Sequence, residues 1–181
     1  MMASLNIRTP SLFLREFSPE DSGKVFCLSQ ETGMRDWLPD QVYQDEQNAL
    51  AVVRYLIEKY KNPGTPAQGP FVLGICLKTN SELIGHVGLS PLGSEVEIGY
   101  AIEKKFQGRG YAAQAVAAMS EFAIRQFGLP KILAIVHREN ITSCKVLERC
   151  GFSLVKETAG QLHDRKGIVR RYEKTTKKNN T

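Results

Sequence analysis

A glycine-rich turn lies near the middle of the chain, between a predicted strand and a predicted helix. The strand covers Glu97 to Ile102, and the helix runs from Gly110 to Phe127. The turn itself reads Gln107-Gly108-Arg109-Gly110-Tyr111-Ala112. A turn of this kind leaves the first N–H groups of the helix without intrahelical partners, and the helix dipole adds positive potential there. These residues and their spacing therefore predict a phosphate-binding site.

Three kinds of phosphate-binding loop compete for this turn. A P-loop needs Lys-Ser or Lys-Thr after its last glycine, and Gly110 is followed by Tyr-Ala, so that loop is excluded. The dinucleotide fingerprint fits Gly108, Gly110 and Ala113, but it requires an acidic residue about 20 positions later. No acidic residue lies between positions 128 and 136. The remaining frame, Q-x-x-G-x-A, begins at Gln107 and is favoured.

A second segment supports this frame. It reads Asn140-Ile141-Thr142-Ser143 and continues through Val146-Leu147-Glu148 to Gly151-Phe152. With the Q-x-x-G-x-A turn, this N-x-x-S…GF pattern makes the chain resemble the GNAT superfamily of acyl-CoA N-acyltransferases. It is most similar to the branch named after the ribosomal-protein N-terminal acetyltransferases RimJ and RimL. The resemblance covers nearly the whole chain and implies an enzyme that uses acetyl-CoA and releases coenzyme A.

The resemblance assigns the coenzyme contacts to three segments. The strand is expected to separate from its neighbour and to bind the pantetheine arm and the acetyl carbonyl through Ile98, Gly99, Tyr100, Ala101 and Ile102. The turn is expected to hold the pyrophosphate through Gln107, Gly108, Arg109, Gly110, Tyr111 and Ala112. Asn140 and Ser143 are expected beside the cofactor, with Ser143 near the sulfur. The cysteines and histidines show no metal-ligand spacing, so no metal is expected.

Acetyl transfer needs a base for the ammonium group, a donor for the oxyanion and a proton for the departing thiolate. Glu97 is the predicted base, because partial burial in an apolar strand would raise its pKa; a solvent-facing strand residue is the alternative. Glu95 shares its face at strand spacing and is the alternate base or a substrate-binding residue. Many family members carry a tyrosine where this chain has Leu147, so Ser143 or water must donate the proton. Gln114 replaces an acidic residue that often follows the loop in this branch.

The acceptor side of the site is predicted from one segment. The loop between the early helices is expected to line the acceptor cleft; at residues 34–40 it holds the only tryptophan, Trp37. By resemblance, acetyl-CoA and a primary amine react directly in a ternary complex. The amine belongs to a protein N-terminus, such as that of a ribosomal protein, or to a small molecule. The alternative function is a catalytically silent acyl-CoA-binding or regulatory module on the same fold.

The elements that position these residues follow from periodicity and turn chemistry. The predicted order is β-α-α-β-β-β-α-β-α-β-β, an α/β (α+β) domain with a mixed, mostly antiparallel central sheet and helices on both faces. The resemblance adds a splayed central strand pair. Strands are predicted at residues 12–17, 71–77, 82–89, 95–102, 131–136, after 152 and at 167–174, and helices from 19, at 44–60, 110–127 and 143–149.

Composition indicates one ordinary globular domain. The chain has 181 residues, 42% hydrophobic and 24% charged. No apolar run approaches the roughly 20 residues that span a bilayer, and the N-terminus lacks the apolar region of a signal peptide. The sequence thus predicts a cytoplasmic monomer or homodimer without a membrane partner.

The domain is expected to cover residues 5–176, followed by a basic, disordered tail at 177–181. The chain's formal net charge is +5, and the basic excess lies in the C-terminal 21 residues. A charge run alone has poor specificity, so nucleic-acid binding through this end is disfavoured.

Overall fold

An eight-stranded sheet forms the centre of the structure, a computed structural model that describes residues 5–176. In chain order the strands are β1 (Asn6–Arg8), β2 (Leu12–Arg15), β3 (Phe71–Leu77), β4 (Leu83–Leu92), β5 (Glu95–Ile102), β6 (Lys131–His137), β7 (Ser153–Leu162) and β8 (Arg165–Thr175). Across the sheet they lie in the order β1-β2-β3-β4-β5-β6-β8-β7. Neighbours are antiparallel except β5 and β6, which are parallel. The predicted mixed, mostly antiparallel sheet is confirmed; the predicted tail lies outside the described residues.

Helices cover both faces of this sheet, as predicted. They are α1 (Ser22–Ser29), α2 (Thr32–Trp37), α3 (Glu46–Lys61), α4 (Tyr111–Phe127) and α5 (Ile141–Arg149). On one face, Val53 and Leu56 of α3 pack with Phe17 and other buried side chains. On the other face, Met119 of α4 and Leu147 of α5 join a larger cluster. Each such side chain contributes about 1.5–3 kcal/mol when it is fully buried.

Local chemistry sets the helix ends near the glycine-rich turn. Gly110 precedes α4 and Gly128 follows it, and both have left-handed φ angles, of 77° and 62°. Glycine adopts this conformation without the strain that a side chain brings. Asn140 caps α5, because its Oδ1 accepts a hydrogen bond from the backbone N–H of Ser143 at 3.2 Å. Both helices therefore start at residues of the two sequence motifs.

Two elements, β1 and α2, were not predicted from the sequence. β1 pairs with β2 but has only three residues, which is too short to show an alternating pattern. Residues 34–37, expected in a loop, belong to α2. This helix has six residues and includes Gly33, so its helical signal is weak. Trp37 is accordingly the last residue of a helix.

The described helices are too short or too polar to cross a membrane. This holds for every helix in residues 5–176.

Candidate active site

Strands β5 and β6 separate and leave a gap in the sheet. They are paired at one position, Glu97 with Leu133. Beyond this bridge, residues 98–102 of β5 and 134–137 of β6 line a cavity of about 430 Å³. A strand directs alternate backbone groups towards each neighbour, so the groups on this side of β5 lack a strand partner. The splayed strand pair that the resemblance implies is present, and its open backbone can pair with an extended polar ligand.

The glycine-rich turn adds unpaired backbone donors to the same cavity. Gly108 and Gly110 have φ angles of 75° and 77°, which place the turn in the region that favours glycine. Within residues 5–176, no group accepts a hydrogen bond from the backbone amides of residues 108–113. The first bond at this end of α4 runs from the N–H of Gln114 to the carbonyl of Gly110. These donors and the helix dipole both favour an anionic ligand.

Gln107 holds the turn against the end of β5. Its side-chain amide donates to the carbonyl of Ile102 at 2.9 Å, and its backbone N–H donates to the carbonyl of Lys104 at 3.2 Å. The neighbouring Arg109 is exposed, and its guanidinium carbon lies 5.7 Å from the ring centroid of Phe106. Gln107 thus positions the turn, while the free donors come from the residues that follow it.

The start of α5 brings two hydroxyl groups together at the cavity. The hydroxyl of Tyr100 on β5 donates to the Oγ of Ser143 on α5 at 3.0 Å, and both residues line the cavity. Burial raises the pKa of Tyr100 to about 12, so this hydroxyl stays protonated at neutral pH. Leu147, one turn along α5, is buried and supplies no donor. The predicted residues Asn140 and Ser143 therefore lie at the cavity together with Tyr100.

Glu97 lies on the opposite face of β5 from Tyr100, because side chains alternate along a strand. Its carboxylate is half-buried and forms no hydrogen bond or ion pair with any residue in the range 5–176. Burial raises the pKa of this carboxyl, and the nearby His163 partly opposes the shift. Glu97 is not itself a lining residue, but it adjoins Ile98, which is. A carboxylate with a raised pKa is a suitable proton acceptor near neutral pH.

The tip of the β7–β8 hairpin covers this face of the gap. Leu162 and His163 at the tip line the cavity together with Trp37 of α2. His163 Nδ1 lies 2.7 Å from Asp40 Oδ2, and the guanidinium carbon of Arg165 lies 4.5 Å from the ring centroid of Trp37. We call these two contacts the hairpin clasp. The clasp places the predicted substrate residue Trp37 in the wall of the cavity.

Glu95 lies outside the cavity. Its carboxylate accepts a hydrogen bond from Arg171 at 2.7 Å and forms an ion pair with Lys131. The hydrogen bond from Lys131, followed by that from Arg171, lowers the pKa of Glu95. It sits where β5 and β6 begin, on the closed side of the single bridge. This geometry makes Glu95 part of a strand-end ion-pair network.

Some lining residues were not predicted as parts of the site. The tip of the β7–β8 hairpin had no signal in the sequence, since its partners are more than 100 positions away. Tyr100 and Ser143 were both predicted, but their hydrogen bond to each other was not. His86 also lines the cavity, and burial lowers its pKa to about 4, so it is neutral at neutral pH. Among residues 5–176, no three His, Cys, Asp or Glu side chains converge to hold a metal ion.

Known proteins share the domain that carries this cavity. A family model described as an acetyltransferase (GNAT) domain matches residues 11–153. The Bacillus subtilis (strain 168) protein named "Uncharacterized N-acetyltransferase YnaD" is 29% identical over 149 residues, which cover 81% of this chain and 82% of the relative.

Two solved structures share the fold. Ribosomal-protein-S5-alanine acetyltransferase from Vibrio fischeri has a TM-score of 0.80 at 18% identity, covering 96% of this chain and 98% of that one. RimL, a ribosomal L7/L12 alpha-N-protein acetyltransferase in complex with coenzyme A, has a TM-score of 0.79 at 18% identity, with coverage of 94% and 98%. The family match includes the glycine-rich turn, the gap and the start of α5. The chain belongs to the GNAT family of acetyltransferases.

Proposed function

We propose that this protein transfers the acetyl group of acetyl-CoA to a primary amine by direct attack in a ternary complex. One observation carries the proposal: the unpaired amides of residues 108 and 110–113 and the open side of β5 border the same cavity. The amides supply donors for a pyrophosphate. The open strand supplies alternating donors and acceptors for an amide-containing arm.

The residues of the cavity fit coenzyme A along its length. The turn at residues 108–112 would hold the pyrophosphate, and residues 98–102 would pair with the pantetheine arm. Asn140 and Ser143 would lie at the sulfur end, because α5 starts there. A backbone N–H on the open side of β5 would stabilise the oxyanion. Bound acetyl-CoA would supply the activated acetyl group.

Glu97 and Ser143 divide the proton chemistry between the two faces of the gap. Glu97 would remove the proton of the acceptor's ammonium group, since its carboxylate is half-buried and unpaired. Ser143 would donate a hydrogen bond to the departing sulfur on the α5 side. No covalent intermediate on the protein is needed when both substrates are held together.

The acceptor would enter on the face of Glu97 and Trp37, beneath the hairpin clasp. The proposed acceptor is a protein N-terminus or a small-molecule amine, and ribosomal-protein N-termini come first because two proteins with the same fold are named for them.

The cysteines at 27, 76, 144 and 150 are all free thiols, in keeping with a reducing cytoplasm.

The test measures thiol release from acetyl-CoA with a panel of N-terminal peptides and small amines. The wild-type protein should release coenzyme A with at least one acceptor. Glu97→Gln should lower kcat/KM by about 10²–10⁴-fold, the usual contribution of a general base. Glu95→Gln is the matched variant on the same strand and should retain activity, because it lies outside the cavity. Tight acetyl-CoA binding without thiol release on any acceptor would indicate the silent acyl-CoA-binding module.

Glu97 also predicts opposite pH dependences for activity and stability. Activity should fall as pH drops through the raised pKa of Glu97, because the base becomes protonated. Its contribution to the free energy of unfolding is present below the ordinary value of 4.5 and is lost as pH rises through the raised pKa. In urea denaturation, Glu97→Gln should therefore be more stable than wild type at pH 8 and no more stable at pH 4. Equal stabilities at both pH values would show that Glu97 is solvated.

A further inference from the structure

We propose that Tyr100 is a positioning residue for Ser143: it orients the Ser143 hydroxyl so that the serine's own hydrogen points at the sulfur of coenzyme A. The proposal rests on the proposed function. It starts from the hydrogen bond that the Tyr100 hydroxyl donates to Ser143 Oγ at 3.0 Å. Both side chains line the cavity.

The bonding of Ser143 leaves its hydrogen free. A serine hydroxyl has one hydrogen to donate and two lone pairs to accept with, and one lone pair is used by Tyr100. The Ser143 hydroxyl donates to no group among residues 5–176. Ser120 in α4 shows the usual alternative, because its hydroxyl donates back to the carbonyl of Val116 at 2.7 Å. The carbonyl four residues before Ser143 belongs to Glu139, which precedes α5 and its cap Asn140.

Tyr100 is well suited to fix this orientation. Its ring packs against the main hydrophobic cluster, which limits its rotation. Burial raises its pKa to about 12, so the hydroxyl remains a donor over the whole range in which the enzyme would work. With the Tyr100 hydrogen on one side of Oγ, the serine hydrogen is directed away from Tyr100 and into the cavity.

The effect of this pair depends on charge at the sulfur. A donor chain from Tyr100 through Ser143 is polarised, which strengthens its last hydrogen bond. Hydrogen bonds to an ionised acceptor are roughly twice as strong as neutral ones. The pair should therefore act mainly when the C–S bond breaks and the sulfur leaves as a thiolate, and only weakly on the bound thioester.

Steady-state kinetics provide the first test. Tyr100→Phe should lower kcat by about 10-fold or more, the loss expected for a hydrogen bond to a charged group, with little change in KM for acetyl-CoA. The double variant Tyr100→Phe/Ser143→Ala should lose no more activity than Ser143→Ala alone, because both substitutions remove one pathway. Losses that multiply would overturn the proposal, since Tyr100 would then act by itself. Tyr55→Phe, an exposed tyrosine on α3, is the control for the loss of a hydroxyl.

Ligand binding provides a second test that needs no acceptor. Wild type should bind coenzyme A more tightly than desulfo-coenzyme A, and this preference should grow as pH passes about 8.5, the ordinary pKa of a thiol. Tyr100→Phe and Ser143→Ala should each remove the growth while leaving desulfo-coenzyme A affinity unchanged. If the preference of Tyr100→Phe for coenzyme A grows with pH as it does in wild type, the positioning role of Tyr100 is refuted and the proposed function is not. Failure of the wild-type protein to bind either ligand would instead refute the proposed function.

Discussion

A methyl group added at Gly85 should force apart the two strands that carry the cavity wall. Gly85 on β4 is paired with Ile102 on β5. A Cβ at this position would lie 2.1 Å from the carbonyl oxygen of Ala101, and such contacts are essentially never shorter than 3.0 Å. The backbone atoms must therefore separate by about 0.9 Å. The obstacle is main chain, which cannot rotate aside as a side chain can.

The magnitude follows from what this separation disrupts. Overpacking in a well-packed interior costs about 1–3 kcal/mol, and each ladder hydrogen bond that is weakened contributes about 1 kcal/mol. We expect Gly85→Ala to lower the free energy of unfolding by about 3 kcal/mol. Since β5 also forms one side of the gap, the displaced strand should weaken coenzyme A binding as well.

Urea denaturation of Gly85→Ala beside Gly99→Ala is the assay. Gly99 is on β5, and a Cβ there meets nothing within 4 Å. Alanine at Gly99 should change the free energy of unfolding by less than about 1 kcal/mol, because alanine loses less entropy than glycine on folding. If the two variants unfold within about 1 kcal/mol of each other, the close approach of β4 and β5 at Gly85 is incorrect.

Substitutions at two further positions test the turn and the start of α4. Gly110→Ala should lower the free energy of unfolding by about 1–2 kcal/mol, because a side chain at a φ of 77° is strained. Calorimetry should also show weaker coenzyme A binding by this variant. Unchanged binding would mean that the amides of the turn do not hold the ligand. Gln114 Oε1 accepts hydrogen bonds from Thr9 Oγ1 at 2.9 Å and from the Ser11 N–H at 3.0 Å. A carboxylate can accept both hydrogen bonds, so Gln114→Glu should leave the thermal midpoint nearly unchanged. Gln114→Ala should lower the free energy of unfolding by about 1–2 kcal/mol and the midpoint with it. Equal midpoints for the two variants would argue against Gln114 as the acceptor of these hydrogen bonds.

The central strands could be predicted because their signals are local. Apolar runs between turn residues give β3 and β5 the bounds found in the structure, Phe71–Leu77 and Glu95–Ile102. The turn and the start of α4 were also predictable, since glycines at left-handed φ and a following amphipathic helix are encoded by neighbouring residues. The sequence thus predicts the strand, the turn and the start of the helix that border one side of the cavity.

The other side of the cavity, near Glu97 and Trp37, depends on contacts between distant segments. Period-two alternation puts Glu95 and Glu97 on one face of β5, but it does not reveal that Lys131 and Arg171 pair with Glu95. The hairpin clasp joins α2 and the segment after it to the β7–β8 turn, and no local pattern predicts that meeting. Gln114 could be recognised in the sequence as a departure from the branch pattern. Its role in joining α4 to the β1–β2 turn could be identified only from the folded structure.

The single bridge between β5 and β6 has a consequence for how the sheet holds together. Strands β1–β5 form one part of the sheet and strands β6–β8–β7 form the other. The two parts are joined by one bridged residue pair, Glu97 with Leu133. In the proposed complex the pantetheine arm pairs with the open side of β5, so the ligand takes the place of the strand partner that β5 lacks beyond the bridge. Coenzyme A at 100 times its Kd would then add about 2.7 kcal/mol to the apparent stability. The amides on the open side of β5 would exchange their hydrogens more slowly in the complex, which makes the substrate a structural component of the fold.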